Sequence, residues 1–324
     1  MRKNRFIKML TVSGLAALAL TVIPAAQAAF PEKPIQIFVG TVPGGITDLG
    51  IRKLAQIASA ELGGQSIVVE NRPGATGTIA IDAALRAKPD GYTLFTLSTS
   101  SVLIAPLLSK VPFDPVKDVS YIMNFAGPSQ ALLVRADSKY QTINDLIADA
   151  RARPGEIAYA TYGVSDTANF GIKALAKAKG VTFNHIPYKG SAQQLLAVLS
   201  GEVTFTSTSN YMTEIKNGRL RALALLDKQR YPGLPGIPTF TEIGVDFEFP
   251  WIMGLATSAK VPEPVRQKLE TAFINATKNP EFIKFMAQQD VPIYIMNGQE
   301  MKADLAAKIP VYRQAAAEYG LIQN

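Results

Sequence analysis

The stretch Ile35-Gln36-Ile37-Phe38-Val39-Gly40-Thr41-Val42-Pro43-Gly44-Gly45-Ile46-Thr47-Asp48-Leu49-Gly50-Ile51 decides the fold. Residues 35–39 are an apolar run of strand length. A glycine- and proline-bearing turn follows, and from residue 48 to 62 Ile51, Leu54, Ala55, Ala58 and Leu62 recur at helical spacing. A strand, a glycine turn and an amphipathic helix together form the opening half of a βαβ unit, the building block of α/β proteins.

The same pattern recurs along the chain. Strands are expected over 66–70 and 92–97, with helices over 78–87 and 101–108. Two strand-like runs, 121–125 and 130–135, break the rhythm. Thr142-Ile143-Asn144-Asp145 then opens a helix with a capping box, and Pro154-Gly155 closes it. Beyond it the alternation resumes, with strands over 157–161, 183–187, 203–206 and 221–225 and helices over 167–179, 191–199 and 211–216. A connection rich in proline (Pro232, Pro235, Pro238) leads to a strand over 251–257. The last quarter reads as helical over 262–277, 280–288 and 299–319. Asn279 and Pro280 start the second of these helices, and Pro310 is expected to kink the third. Single helices between strands imply parallel sheets. Two such blocks predict two α/β lobes, one from 29–128 plus 251–324 and one from 129–250, joined by two hinge crossovers around a central cleft.

The N-terminus carries Arg2, Lys3, Arg5 and Lys8, an apolar run over 10–23, and the small-residue site Ala26-Gln27-Ala28. This is the pattern of a secretory signal peptide over 1–28, cleaved after Ala28. The expected location is therefore the periplasm. The run is interrupted by Ser13, Gly14, Thr21 and Pro24, and a bilayer span needs roughly 20 apolar residues. Four of the chain's seven excess positive charges lie in this segment, which leaves +3 (seven minus four) on the remainder. No basic stripe of the kind that binds nucleic acid persists.

The chain has no cysteine and one histidine, His185. Thiol nucleophiles, disulfides and cysteine-based zinc sites are thereby excluded, and no metal or cofactor is expected. His185 sits in a short strand-like run, where a packed or edge histidine is a better account than a catalytic base. A periplasmic hydrolase would require an activated nucleophile–base pair, so an enzyme is the weaker reading.

Ligands of open α/β sheets bind outside the carboxyl ends of the strands. Five loops there carry candidate residues. The first holds Thr41, Pro43, Gly44, Gly45 and Thr47 before a helix start, where open backbone N–H groups and the helix dipole favour an anion. The same residues also make an ordinary tight turn with Thr47 or Asp48 as a helix cap. Ser98, Thr99 and Ser100 place hydroxyls at another strand end, one of them spent on a cap. Tyr162, Gly163, Ser165, Asp166 and Thr167 repeat the design in the second block, and Thr208 ends a further strand. Two such helix starts facing across a cleft would suit a ligand with two carboxylates. Lys189 offers a cation, although a lysine at a helix start is usually solvated. Trp251, near the second crossover, is expected to pack. The loop 70–77 lacks the G-x-G-x-x-G spacing of a dinucleotide site.

Taken in order, these segments resemble the periplasmic solute-binding proteins of tripartite tricarboxylate transporters, the Bug type. The landmarks are Phe30-Pro31-Glu32-Lys33-Pro34-Ile35, Pro43-Gly44-Gly45 with Asp48 and Arg52, and Glu70-Asn71-Arg72-Pro73-Gly74-Ala75. Further landmarks are Lys88-Pro89-Asp90-Gly91-Tyr92-Thr93-Leu94, residues 142–158, Pro187-Tyr188-Lys189-Gly190, Arg221-Ala222-Leu223-Ala224, and Ile237-Pro238-Thr239-Phe240 with Glu242 and Gly244. The resemblance implies a type II periplasmic binding fold that closes on a small carboxylate, acts as a monomer and serves integral membrane transporter subunits. A ligand-presenting sensor for a two-component kinase is the alternative role.

The chain departs from the family pattern at Gly40-Thr41, where many relatives have a Pro-aromatic pair, and at Ser165-Asp166, where they have Gly-Ser or Gly-Thr. An Asp common near residues 204–208 is absent, which argues against an amino-acid ligand and for a plain or aromatic carboxylate. Asp166, if it faces the cleft, would repel a second carboxylate.

Overall fold

In the computed structural model the described residues are 30–127, 129–209, 211–227, 230–247 and 252–322. The signal-peptide reading of 1–28 and the packing expected of Trp251 lie outside them. The deciding stretch folds as read, with β1 (Ile35–Val39) buried at four of its five positions. It is followed by α1 (Ile46–Glu61), β2 (Ile67–Asn71), α2 (Thr78–Leu85), β3 (Thr93–Ser98), α3 (Ala105–Leu108) and β4 (Val119–Ala126). The second block comprises β5 (Ala131–Arg135), α4 (Ile143–Ala152), β6 (Ala158–Thr161), α5 (Thr167–Lys179), β7 (Asn184–Pro187), α6 (Ser191–Ser200), β8 (Phe205–Thr208), α7 (Met212–Lys216) and β9 (Leu220–Leu225). The chain then returns through β10 (Met253–Ser258), α8 (Glu263–Thr277), α9 (Pro280–Gln288), β11 (Ile293–Asn297) and α10 (Gly298–Glu318).

The strands form two sheets, ordered β11-β4-β10-β3-β1-β2 and β7-β6-β8-β5-β9. Setting β11 aside, both sheets have one plan. In each, the second strand of the block lies outermost, then the first, the third, a strand arriving from the other lobe, and the fourth. The sheets are mixed, where single-helix connections predicted parallel ones. β1 pairs in parallel with β2 and β3, and β6 with β7 and β8. β10 and β5 run antiparallel to both their neighbours. Each of these two strands enters its sheet from a crossover, at the edge where the others end, and must run back against them.

β11, which pairs antiparallel with β4, was not expected in a quarter that reads as helical. It is a short edge strand with Tyr294 and Ile295 exposed, so it lacks the alternating burial that marks a strand in sequence. α10 remains helical across Pro310. Its C-terminal part reaches the second lobe, with Tyr312 and Tyr319 ring centroids 5.9 and 6.3 Å from that of Phe170 on α5. This helix and the two crossovers tie the lobes together, and the loops after β1, β2, β3, β6, β7 and β8 meet between them.

Candidate functional site

A network of motif residues builds the loop after β1. Asp48, 2% exposed, accepts from the Gly44 N–H at 2.9 Å, from Arg52 Nε at 2.9 Å and from Asn71 Nδ2 at 2.8 Å. Asn71 Nδ2 also donates to the Thr41 carbonyl at 3.0 Å, so β2 fixes the loop that follows β1. No side chain caps α1 at Gly45. The expected cap from Thr47 or Asp48 is replaced by this reach of Asp48 back to Gly44. The negative charge expected at this helix start is thus supplied by the protein itself. Gly40 allows the loop after β2 to approach, because a Cβ there would lie 2.6 Å from the Gly77 Cα.

The equivalent loop after β6 is organised by Asp166, the N-cap of α5. Its carboxylate accepts from the N–H groups of Tyr162 at 2.8 Å and Ala168 at 3.1 Å. Burial pushes the Asp166 carboxyl up to about 6, against those two donors, which favour its charged form. Both helix starts expected to receive two ligand carboxylates therefore carry a carboxylate of the protein. The α6 start differs. Gly190 is its N-cap, no side chain caps it, and its first turn has no acidic residue. Lys189 stands immediately before it and makes no ion pair among the described residues.

These loops enclose an inner cavity of about 180 Å³. Of the predicted residues, Thr41, Gly45, Thr47, Ser98, Ser100, Tyr162, Asp166 and Thr208 line it. The Thr41 hydroxyl oxygen is buried without a hydrogen-bond partner among the described residues, so the cavity presents an unsatisfied polar group. Gly163 and Ser165 line a larger chamber of about 670 Å³ instead, which adjoins the inner cavity and shares Val42, Thr76, Tyr162 and Lys189 with it.

Four predicted residues line neither space. Gly44 faces a small cleft on the other side of its loop, beside Met212 and Gln289. Pro43 is exposed. Thr99 is buried and its hydroxyl accepts from the Ile252 N–H at 3.3 Å. Thr167 is 1% exposed and packs against Ser100. The two threonines hold the site together from behind.

The candidates also left out Gln130, Gln194 and Ser207. Gln130 lies in a crossover and Gln194 one turn into α6, places that sequence does not mark as cleft-facing. Lys189, weighed as a solvated lysine, lines both spaces.

His185 lies on β7, at the edge of the second sheet. It stacks on Tyr159 with centroids 4.9 Å apart, and its Nε2 lies 2.7 Å from Thr161 Oγ1. Burial, with a smaller effect from Lys173, pulls its imidazole down to about 4. It lines neither the inner cavity nor the chamber.

A family model described as "Tripartite tricarboxylate transporter family receptor" matches residues 51–313. A protein of Cupriavidus necator, "UPF0065 protein in gbd 5'region", is 36% identical over 322 residues, covering 98% of both chains. The solved structure of "periplasmic binding protein BugD" superposes with a TM-score of 0.82 at 28% identity, over 90% of this chain and 99% of that one. The structure "R. palustris Rpa4515 with adipate" does so with a TM-score of 0.83 at 25% identity, over 90% and 98%.

Proposed function

The chain belongs to the tripartite tricarboxylate transporter family of receptors, and from that premise we propose that it is a periplasmic receptor whose lobes close on a small organic carboxylate, plain or aromatic. It is a binding protein and not an enzyme. In this reading the lobes comprise 29–128 with 251–324, and 129–250. The protein acts as a monomer and delivers its ligand to integral membrane subunits of a tripartite transporter. A signal peptide over 1–28 accounts for its export.

The observation that carries this reading is the inner cavity. Both lobes contribute hydroxyls to it, and it holds an uncompensated helix start with Lys189 beside it. Backbone N–H groups at a helix start, the dipole and an ammonium together favour one carboxylate. A ligand that touches both lobes stabilises the closed state, because only that state offers all its contacts. The adipate bound to a relative 25% identical supports the same class.

The test is isothermal titration calorimetry of the mature chain with short mono- and dicarboxylates. At least one should bind, and Lys189→Met should weaken it about tenfold, the low end of the roughly 1.5–3 kcal/mol of a charge-assisted hydrogen bond because this lysine is exposed. Absence of carboxylate binding would overturn the reading.

A further inference from the structure

The loop after β2 and the segment 105–112 of one lobe, with the loops after β6 and β7 of the other, build the chamber of about 670 Å³ that adjoins the inner cavity. The two spaces differ in chemistry. The inner one carries hydroxyls and amides from Thr41, Ser98, Ser100, Gln130 and Gln194. The chamber has a more apolar lining, with Val42, Pro73, Ala75, Val111 and Val164 among residues such as Ser109 and Tyr188. Val42 is 44% exposed and Val164 57% exposed, and they come from opposite lobes. An apolar ligand body in the chamber would cover both side chains and gain from their burial. By volume the chamber lies within the roughly 300–1,000 Å³ typical of ligand sites, and the inner cavity alone falls below it.

The backbone of one wall is specialised. Gly74, Ala75, Thr76 and Gly77 have φ of 131°, 45°, 55° and 98°. Two of these four successive positive-φ residues are not glycine, a strain found at ligand clamps.

Charge sets how many carboxylates the site accepts. Lys189 is the one cation lining the inner cavity among the described residues, and Asp166 is the one carboxylate. A first ligand carboxylate would pair with Lys189 at the α6 start. A second one in that cavity would face Asp166 without a cation of its own. In the chamber the other cation is Lys110, which is exposed as Lys189 is but has no helix start beside it. An exposed charge without that support contributes little.

We propose that the ligand is a monocarboxylate with an aromatic or branched apolar body, its carboxylate in the inner cavity and its body in the chamber. This rests on the receptor reading and narrows its ligand class. The shared residues Val42, Thr76, Tyr162 and Lys189 lie where the two parts of such a ligand join. Apolar burial in the chamber then supplies affinity that a short acid lacks.

Calorimetry with three probes, propionate, 3-phenylpropionate and adipate, tests this on the mature chain. The expected order puts 3-phenylpropionate at least about tenfold tighter than either of the others. Val164→Asn, at an exposed position that lines only the chamber, should weaken 3-phenylpropionate about three- to fivefold and leave propionate unchanged. Adipate binding as tightly as 3-phenylpropionate, or an equal loss for both monocarboxylates in the variant, would overturn the inference while the receptor reading stands. Failure of all three acids to bind would overturn the receptor reading and this inference with it.

Discussion

Ser100 and Thr167 join the two lobes at the wall of the binding cavity. Ser100 Oγ accepts from the Thr167 backbone N–H at 3.3 Å and lies 3.3 Å from its hydroxyl. Thr167 is the first residue of α5, so one of that helix's free N-terminal N–H groups is satisfied by the opposite lobe. If the lobes part as proposed, water would take its place. Ser100→Ala should therefore destabilise the closed state alone, by about 1 kcal/mol, and raise the ligand Kd about fivefold. Calorimetry reads the affinity. Small-angle scattering should show the ligand-free protein more open than wild type.

Asp166 should make ligand binding depend on pH. Its carboxyl is pushed up to about 6 by burial, and an anionic ligand nearby favours the protonated form further. Binding should thus take up protons, and affinity should rise as pH falls from 7.5 to 5.5. Lys189 and Tyr162 are the other charged or titratable groups lining the same cavity. The Tyr162 phenol, pushed upward by burial and by Asp166, stays protonated across that range. In Asp166→Asn, which keeps an N-cap side chain, the pH slope should vanish. An equal slope in the variant would assign the effect elsewhere.

His185 should give a stability slope of opposite origin. Its imidazole is lowered from 6.5 to about 4 in the folded chain, burial being the main cause. The unfolded chain therefore binds the extra proton first. The stability that the neutral ring contributes is present above pH 6.5 and is lost as pH falls toward 4. Asp166, with its raised value, gains stability over the same fall, so the comparison must be made between variants. Wild type should lose more Tm between pH 6.5 and 4.5 than His185→Gln does.

Gly40→Ala should be destabilising at a position exposed to no ligand chemistry of its own. The added Cβ would lie 2.6 Å from the Gly77 Cα and 3.1 Å from its carbonyl oxygen, both backbone atoms. Overpacking of this kind typically costs 1–3 kcal/mol. Urea denaturation should show the loss, and ligand affinity should fall as well, because the displaced loop carries Thr41 and Gly45.

Particular residues show how far sequence reading reaches into this molecule. The capping box at Thr142 and Asp145 and the Asn279 cap before Pro280 were legible, since each is a contact between residues close in the chain. So was the placing of Thr41, Ser100, Tyr162 and Asp166 on loops at strand ends. β11 was not legible, because an exposed edge strand has no burial pattern to display. The directions of β5 and β10 were missed as well, for they follow from where a crossover delivers the chain. Thr99 and Ser100 are neighbours of similar chemistry, yet one supports the return strand and the other lines the inner cavity. Side-chain direction at that turn separates them.

By itself, the sequence determined two α/β blocks, the glycine and hydroxyl loops that could bind an acid, and the family resemblance. All of these rest on local periodicity, turn chemistry and motif order, which act over a few residues. Only the tertiary structure decided which helix starts meet at the inner cavity. Asp48 and Asp166 occupy two of them through contacts set by loop geometry, and α6 with Lys189 is left free of any acidic cap. It also set a more apolar chamber beside the inner cavity, because the loops after β2 and β6 are far apart in the chain and adjacent only once the lobes meet. Charge balance and cavity shape depend on distances between such segments, and those distances exist only in the folded molecule.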